Sequence, residues 1–148
     1  MRLIIGCDEA AYTLKMVVID HLKEKGYEVD DFGAEKGQVV LYPDIAYKVA
    51  DQIAAGNYDR GILLCGTGIG MAICANKVPG VRAAVCHDPF SAERSRKSNN
   101  AQIMCLGERV VGVELAKCLV DIWLDCEFAG GGSKPKVDRI MELEQAHL

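Results

Sequence analysis

The sequence predicts an α/β fold: a three-layer, Rossmann-like domain with a five-stranded parallel sheet and a C-terminal helix. Three observations predict it. Short apolar runs alternate along the chain with longer segments of helical period, the pattern of right-handed β-α-β units. Those runs are apolar at consecutive positions, as strands covered on both faces must be. The 148 residues carry 50% hydrophobic and 26% charged side chains without an internal linker, so residues 1–148 are expected to form one domain.

Each element follows in order. Leu3-Ile4-Ile5-Gly6-Cys7 is the first strand and ends at Asp8. Leu14, Val17, Val18, His21 and Leu22 then recur at helical spacing until Gly26. Tyr27-Glu28-Val29 reads as a second, weaker strand. Pro43-Asp44 opens and Gly56 closes a helix marked by Ile45, Val49, Ile53 and Ala54. Residues 61–65 form the third strand, which enters a glycine-rich turn and a helix over 69–77. The fourth strand spans 81–86 and its helix 89–97; the fifth spans 103–106 and its helix 113–124. Gly130-Gly131-Gly132 breaks the chain before a last helix over 136–146, whose charged face is solvated.

Composition excludes several functions. The net charge is −4 with Lys and Arg scattered, which argues against nucleic acid as a partner. No apolar stretch approaches the roughly 18 residues that span a bilayer, and the first apolar run is too short for a signal peptide. Seven cysteines, an odd number without a C-x-x-C pair, fit a reducing, cytoplasmic setting in which most thiols are core side chains.

In a doubly wound sheet the ligand binds beyond the carboxyl ends of the strands. That rule selects Asp8-Glu9, Cys65 to Gly70, His87-Asp88 and Gly107 onward. Cys65-Gly66-Thr67-Gly68-Ile69-Gly70 is the most informative of these. Three alternate glycines after a strand let the backbone turn tightly and present successive N–H groups to an anion. A thiol at that mouth is expected to have a lowered pKa and to serve as base or nucleophile. Other readings fit less well. The dinucleotide fingerprint is only partial, a P-loop lacks Gly-Lys-Ser/Thr, and a cysteine phosphatase would need Arg where Met71 stands. A purely structural turn with a buried Cys stays open on the loop alone.

The wider set of motifs is Gly6-Cys7-Asp8, Tyr42-Pro43-Asp44, the Cys65 loop, Ala75-Asn76-Lys77, Gly80-Val81-Arg82-Ala83, Ser95-Arg96, Asn99, Gly107 and Arg109-Val110-Val111-Gly112. With these in order and nearly end to end, the chain resembles the B-type ribose-5-phosphate isomerases and the two subunits of galactose-6-phosphate isomerase. The resemblance implies an aldose–ketose isomerase that needs no metal or organic cofactor. It implies a homodimer or homotetramer with active sites shared between subunits, or a heteromer. By the same resemblance Cys65 moves the carbon-bound proton and Thr67 the oxygen-bound proton. The backbone of Gly66, Gly68 and Gly70 holds the enediolate, and Asp8, Tyr42 and Asn99 bind the sugar.

The chain departs from that pattern at four positions. Glu9 and Ser98 stand where family members acting on ribose 5-phosphate carry His. Gly132 and Lys136 stand where they carry two phosphate-binding Arg. Lys136 remains as a point charge for a phosphate rather than a bidentate fork. A carboxylate at Glu9 is expected to repel a phosphate dianion, and so to disfavour ribose 5-phosphate. Alternatively, Glu9 only caps the first helix. Ser98 and His87 are the alternatives for the missing acid/base in ring opening. Two functions therefore compete: an isomerase of a small sugar or sugar phosphate, and a non-catalytic, sugar-binding partner subunit of a heteromeric isomerase.

Overall fold

The computed structural model describes residues 1–148. Its strands are β1 (Leu3–Cys7), β2 (Val29–Asp31), β3 (Arg60–Cys65), β4 (Ala83–Val85) and β5 (Ile103–Gly107). Its helices are α1 (Tyr12–Glu24), α2 (Tyr42–Ala54), α3 (Ile69–Ala75), α4 (Pro89–Lys97), α5 (Val113–Asp125) and α6 (Lys134–Ala146). All pairings are parallel, and the strand order is β2-β1-β3-β5-β4. The order reverses between β1 and β3, so a crevice opens beyond Cys7 and Cys65.

Side-chain alternation along the central strands divides the core into two layers. Leu3, Ile5, Ile62, Leu64, Met104 and Leu106 face α1 and α5 on one side of the sheet. Ile4, Leu63, Ile103 and Cys105 face α2 and α3 on the other. Each fully buried Leu or Ile contributes about 1.5–3 kcal/mol of burial energy. At Gly6 an added Cβ would stand 2.7 Å from Ile45 Cγ2; the glycine lets α2 lie close against β1.

Three boundaries differ from those expected. β2 begins at Val29, because the Tyr27 N–H closes α1 on the Leu22 carbonyl and the chain reaches the sheet two residues later. This edge strand is polar, and it is tied down by Asp31 pairing at 2.9 Å with the buried Lys15. The third helix stops at Ala75, because the Asn76 side chain both accepts from Ala83 N and donates to Ala83 O, turning the chain into β4. β4 in turn is confined to Ala83–Val85, since Val81 still closes a turn on the Val78 carbonyl. No helix is long and apolar enough to cross a membrane.

Each helix that follows a strand runs back toward the sheet's amino end. Arg60, the first residue of β3, therefore meets the carboxyl end of α5. It donates to Trp123 O at 2.8 Å, Cys126 O at 2.9 Å and Glu127 Oε1 at 2.7 Å. α6 docks at the same end, where Glu144 accepts from Gly80 N and Arg82 reaches Met141 Sδ.

Candidate active site

The carboxyl ends of β1 and β3 supply the crevice, and the backbone crosses between them: Asp8 N–H donates to Leu64 O. Asp8, Tyr42, Cys65, Gly66, Thr67, Gly70 and Arg109 line one cleft there. A larger cavity of ≈ 540 Å³ lies beside it, under the chain between β2 and α2.

The glycine loop is shaped by β5. Gly68 has φ +77°, and a Cβ on it would stand 3.0 Å from the Leu106 backbone. At Gly107 a Cβ would stand 2.6 Å from Thr67 Cα. Both glycines are needed for the loop to lie directly on the end of β5, a close approach that any side chain would prop open. The loop is fastened there by Glu108 N–H to Cys65 O and Arg109 N–H to Gly66 O.

Within the loop the N–H groups divide into two sets. Gly68 N–H donates to Cys65 Sγ at 3.1 Å and Ile69 N–H to Thr67 Oγ1 at 3.3 Å, orienting both side chains. The N–H groups of Gly66, Thr67 and Gly70 donate to no protein acceptor. They are the donors free to meet an anion in the cleft. The Gly68 N–H, expected from the sequence among the enediolate donors, is turned onto the thiol in this structure.

Asp8 caps the short turn after β1 through Ala10 N at 3.0 Å. Burial pushes its carboxyl up from the ordinary range, with the neighbouring Glu9 charge adding to the rise and Arg109 opposing it. Tyr42 opens α2 and lays its ring against Gly70, close enough that a Cβ there would collide with it. Arg109, two residues beyond β5, reaches over Gly66 with Nη1 3.2 Å from the position of an added Cβ. Sequence reasoning gave Arg109 no role. Its signal was its place on the carboxyl rim two residues after a strand.

Other expected residues lie elsewhere. Glu9 is exposed, outside the cleft lining, and its carboxylate accepts from Val40 N at 3.2 Å. His87 is at the rim, but its Nε2 accepts the Gly107 N–H at 2.9 Å, so that nitrogen is committed to the backbone. Ser98 and Asn99 follow α4, and Lys136 is in the first turn of α6. All three stand at the amino end of the sheet, where Ala129 N–H reaches Lys97 O. The six residues of β3 separate that end from Cys65, roughly 17 Å at the usual strand rise. These three came from the family resemblance rather than from the strand-end rule, and a helix after a strand carries the chain back across the whole sheet.

Comparison with known proteins identifies the family. A family model described as Ribose/Galactose Isomerase matches residues 3–140. The chain is 56% identical over 145 residues to ribose-5-P isomerase B of Listeria innocua, covering 98% of each. It is 55% identical over 141 residues to D-erythrulose-4-phosphate isomerase of Pectobacterium atrosepticum, covering 95% of this chain and 93% of the relative. The solved structure of Clostridium thermocellum ribose-5-phosphate isomerase B superposes with a TM-score of 0.97 at 49% identity, over 100% of both chains. A glycine-wrapped cysteine at the sheet's switch point, set in a match of this length, makes this chain an aldose–ketose isomerase that belongs to the ribose/galactose isomerase family.

Proposed function

We propose that this chain interconverts the aldose and ketose forms of a four- or five-carbon sugar phosphate through a cis-enediol. The observation that carries the reading is the meeting of Cys65, Thr67 and three free N–H donors in one cleft with Asp8, Tyr42 and Arg109. Cys65, as thiolate, removes the proton from the carbon next to the aldose carbonyl, and that electron pair forms the new C=C bond. The carbonyl oxygen becomes the enediolate oxygen, held by the N–H groups of Gly66, Thr67 and Gly70, each such donor worth about 3 kcal/mol. Thr67 passes a proton between the two oxygens. The Cys65 thiol then returns its proton to the former carbonyl carbon, giving the ketose. Asp8 and Tyr42 bind hydroxyls.

A phosphorylated substrate is supported by Arg109 at the cleft and by Glu9, whose carboxylate is turned onto Val40 rather than toward the ligand. The sequence-based objection to a phosphate dianion rested on Glu9 facing inward and on Gly132 and Lys136 in place of two Arg; the first of these grounds is removed by the bond to Val40. The relatives named for ribose 5-phosphate and erythrulose 4-phosphate set the size range.

The reading also requires a second copy of the chain. Ser98, Asn99 and Lys136 cannot reach Cys65 of their own chain, and they would meet the cleft only from another subunit. Exposed Leu41, Ile69, Ile73 and Val110, next in sequence to cleft residues or on their helix, support this reading, since a second copy seated there would cover them. The test is a panel of tetroses and pentoses, with and without phosphate, followed by proton exchange in heavy water. Phosphorylated members should turn over, and Cys65→Ala should abolish exchange in a protein that still folds. Turnover by that variant, or a preference for unphosphorylated sugars, would overturn the proposal.

A further inference from the structure

The chain between β2 and α2 is weakly held. At one end Ala34 is anchored by Lys15 Nζ at 2.6 Å and by its own N–H to Cys7 O. At the other end Leu41 O accepts Asp44 N–H as α2 begins. Between them the Glu35 and Gln38 hydrogen bonds stay within the segment. Its one hydrogen bond to the rest of the molecule is Val40 N–H to Glu9 Oε2, at 3.2 Å. Packing replaces such bonds only at Val40, which is half-buried against the core layer of Ile45. Val39 and Leu41 are 81% and 73% exposed, and a cavity of ≈ 540 Å³ opens among Glu35, Gln38, Val40, Phe32, Ile45 and Lys48. A segment with few contacts and one outside hydrogen bond is a place where local opening costs least.

That segment ends next to Tyr42, whose ring stands in the cleft against Gly70. Glu9 itself follows Asp8, another cleft residue, on the short turn that Asp8 caps. One carboxylate therefore links the turn after β1 to the approach to α2, and both carry cleft residues at their ends. We propose that Glu9 is a positioning residue: by holding Val40 it keeps the 35–41 segment seated and sets where the Tyr42 ring stands. The inference rests on the cleft around Cys65 being the active site. It gives Glu9 a task that does not involve touching substrate.

The required property is an acceptor of the right length, not a charge. Glu9→Gln keeps an oxygen for Val40 N–H, and Glu9→Ala removes it. The experiment uses the assembled protein and reads two things. The first is amide hydrogen exchange, which needs no substrate and is therefore informative whatever the sugar panel yields. In Glu9→Ala, exchange at the hydrogen-bonded Glu35, Gln38 and Val40 amides should quicken about tenfold, and Glu9→Gln should return it near wild type. The second is kinetics with ribose 5-phosphate or erythrulose 4-phosphate, whichever turns over. Glu9→Ala should raise KM roughly three- to tenfold with a smaller change in kcat, and Glu9→Gln should restore it. If Glu9 binds substrate through its charge, Glu9→Gln will be as impaired as Glu9→Ala and exchange over 35–41 will not move. If Glu9 only caps its own turn, exchange will quicken at residues 10–14 and KM will stay. Either result overturns the proposal.

Discussion

Gly70→Ala separates the fold from the site with one added carbon. Gly70 is the second residue of α3 and has no positive φ, so alanine meets no backbone strain. By helix propensity and unfolded-chain entropy alone the change should stabilise by up to about 1 kcal/mol. The new Cβ, however, would stand 2.5 Å from Tyr42 Cζ and 2.6 Å from Tyr42 Oη. Carbon atoms rest about 3.5–4.0 Å apart, so the ring must retreat by roughly 1 Å or more. Tyr42 is 38% exposed, and its ring has an outward path, which makes the retreat cheap for the fold. The cost falls on the cleft, where a misplacement of about 1 Å lowers rates by up to about 10²-fold. The expected result is a kcat/KM reduced about 10- to 100-fold with stability in urea within about 1 kcal/mol of wild type. Adding Gly70→Ala to Tyr42→Ala should then change little, because the ring that carries the effect is already gone. Wild-type kcat/KM in Gly70→Ala would remove the Tyr42 ring from the mechanism. A loss of several kcal/mol would show instead that the ring is locked in the core.

Two further outcomes follow from groups outside the cleft. Burial holds the His87 imidazole below its ordinary 6.5, as its acceptor bond from Gly107 N–H requires. As pH falls through this range the unfolded chain takes up the proton first, so the His87 contribution is complete above about 6.5 and is lost below the folded value. Asp88, held low by its Ser91 hydrogen bonds, stays ionised throughout that window. Urea midpoints from about pH 8 to pH 5 should therefore fall more steeply in wild type than in His87→Gln, and equal slopes would refute the assignment. Arg60→Met should cost about 2–4 kcal/mol at fixed protein concentration, because it strips donors from the α5 terminal carbonyls. Glu127 is too exposed for its ion pair to carry that loss, so Glu127→Gln should be nearly neutral.

The central strands were legible because β1, β3 and β5 are buried on both faces, and an unbroken apolar run can mean little else beside helical segments. β2 was misplaced for the converse reason. An edge strand keeps polar residues, and what holds Val29–Asp31 in place is Lys15, fourteen or more residues earlier in the chain and visible only once α1 is folded. Cys65, Thr67, Asp8, Gly66, Gly70 and Tyr42 do share one cleft. The glycine spacing could not show that Gly68 lies directly on β5 with its N–H on the thiol.

Ser98, Asn99 and Lys136 teach a different point. Their position at the amino end of the sheet follows from topology already readable in the sequence, since a right-handed β-α-β unit must return the chain before the next strand. What no single chain displays is the place those residues would serve. On the proposed reading, the cleft of Cys65, Thr67 and Arg109 leaves these three on the far side of its own sheet, and would be half a site. The proposed second copy would complete it without new residues: in an isologous pair each chain can lend its far end to the other's cleft. The exposed apolar side chains flanking Tyr42, Gly70 and Arg109 then have a reason to face outward. On that view the segment held by Glu9 lies at the seam. Its one outside hydrogen bond and the packing of Val40 would then set the Tyr42 ring, while the exposed Val39 and Leu41 stay free to meet the second copy.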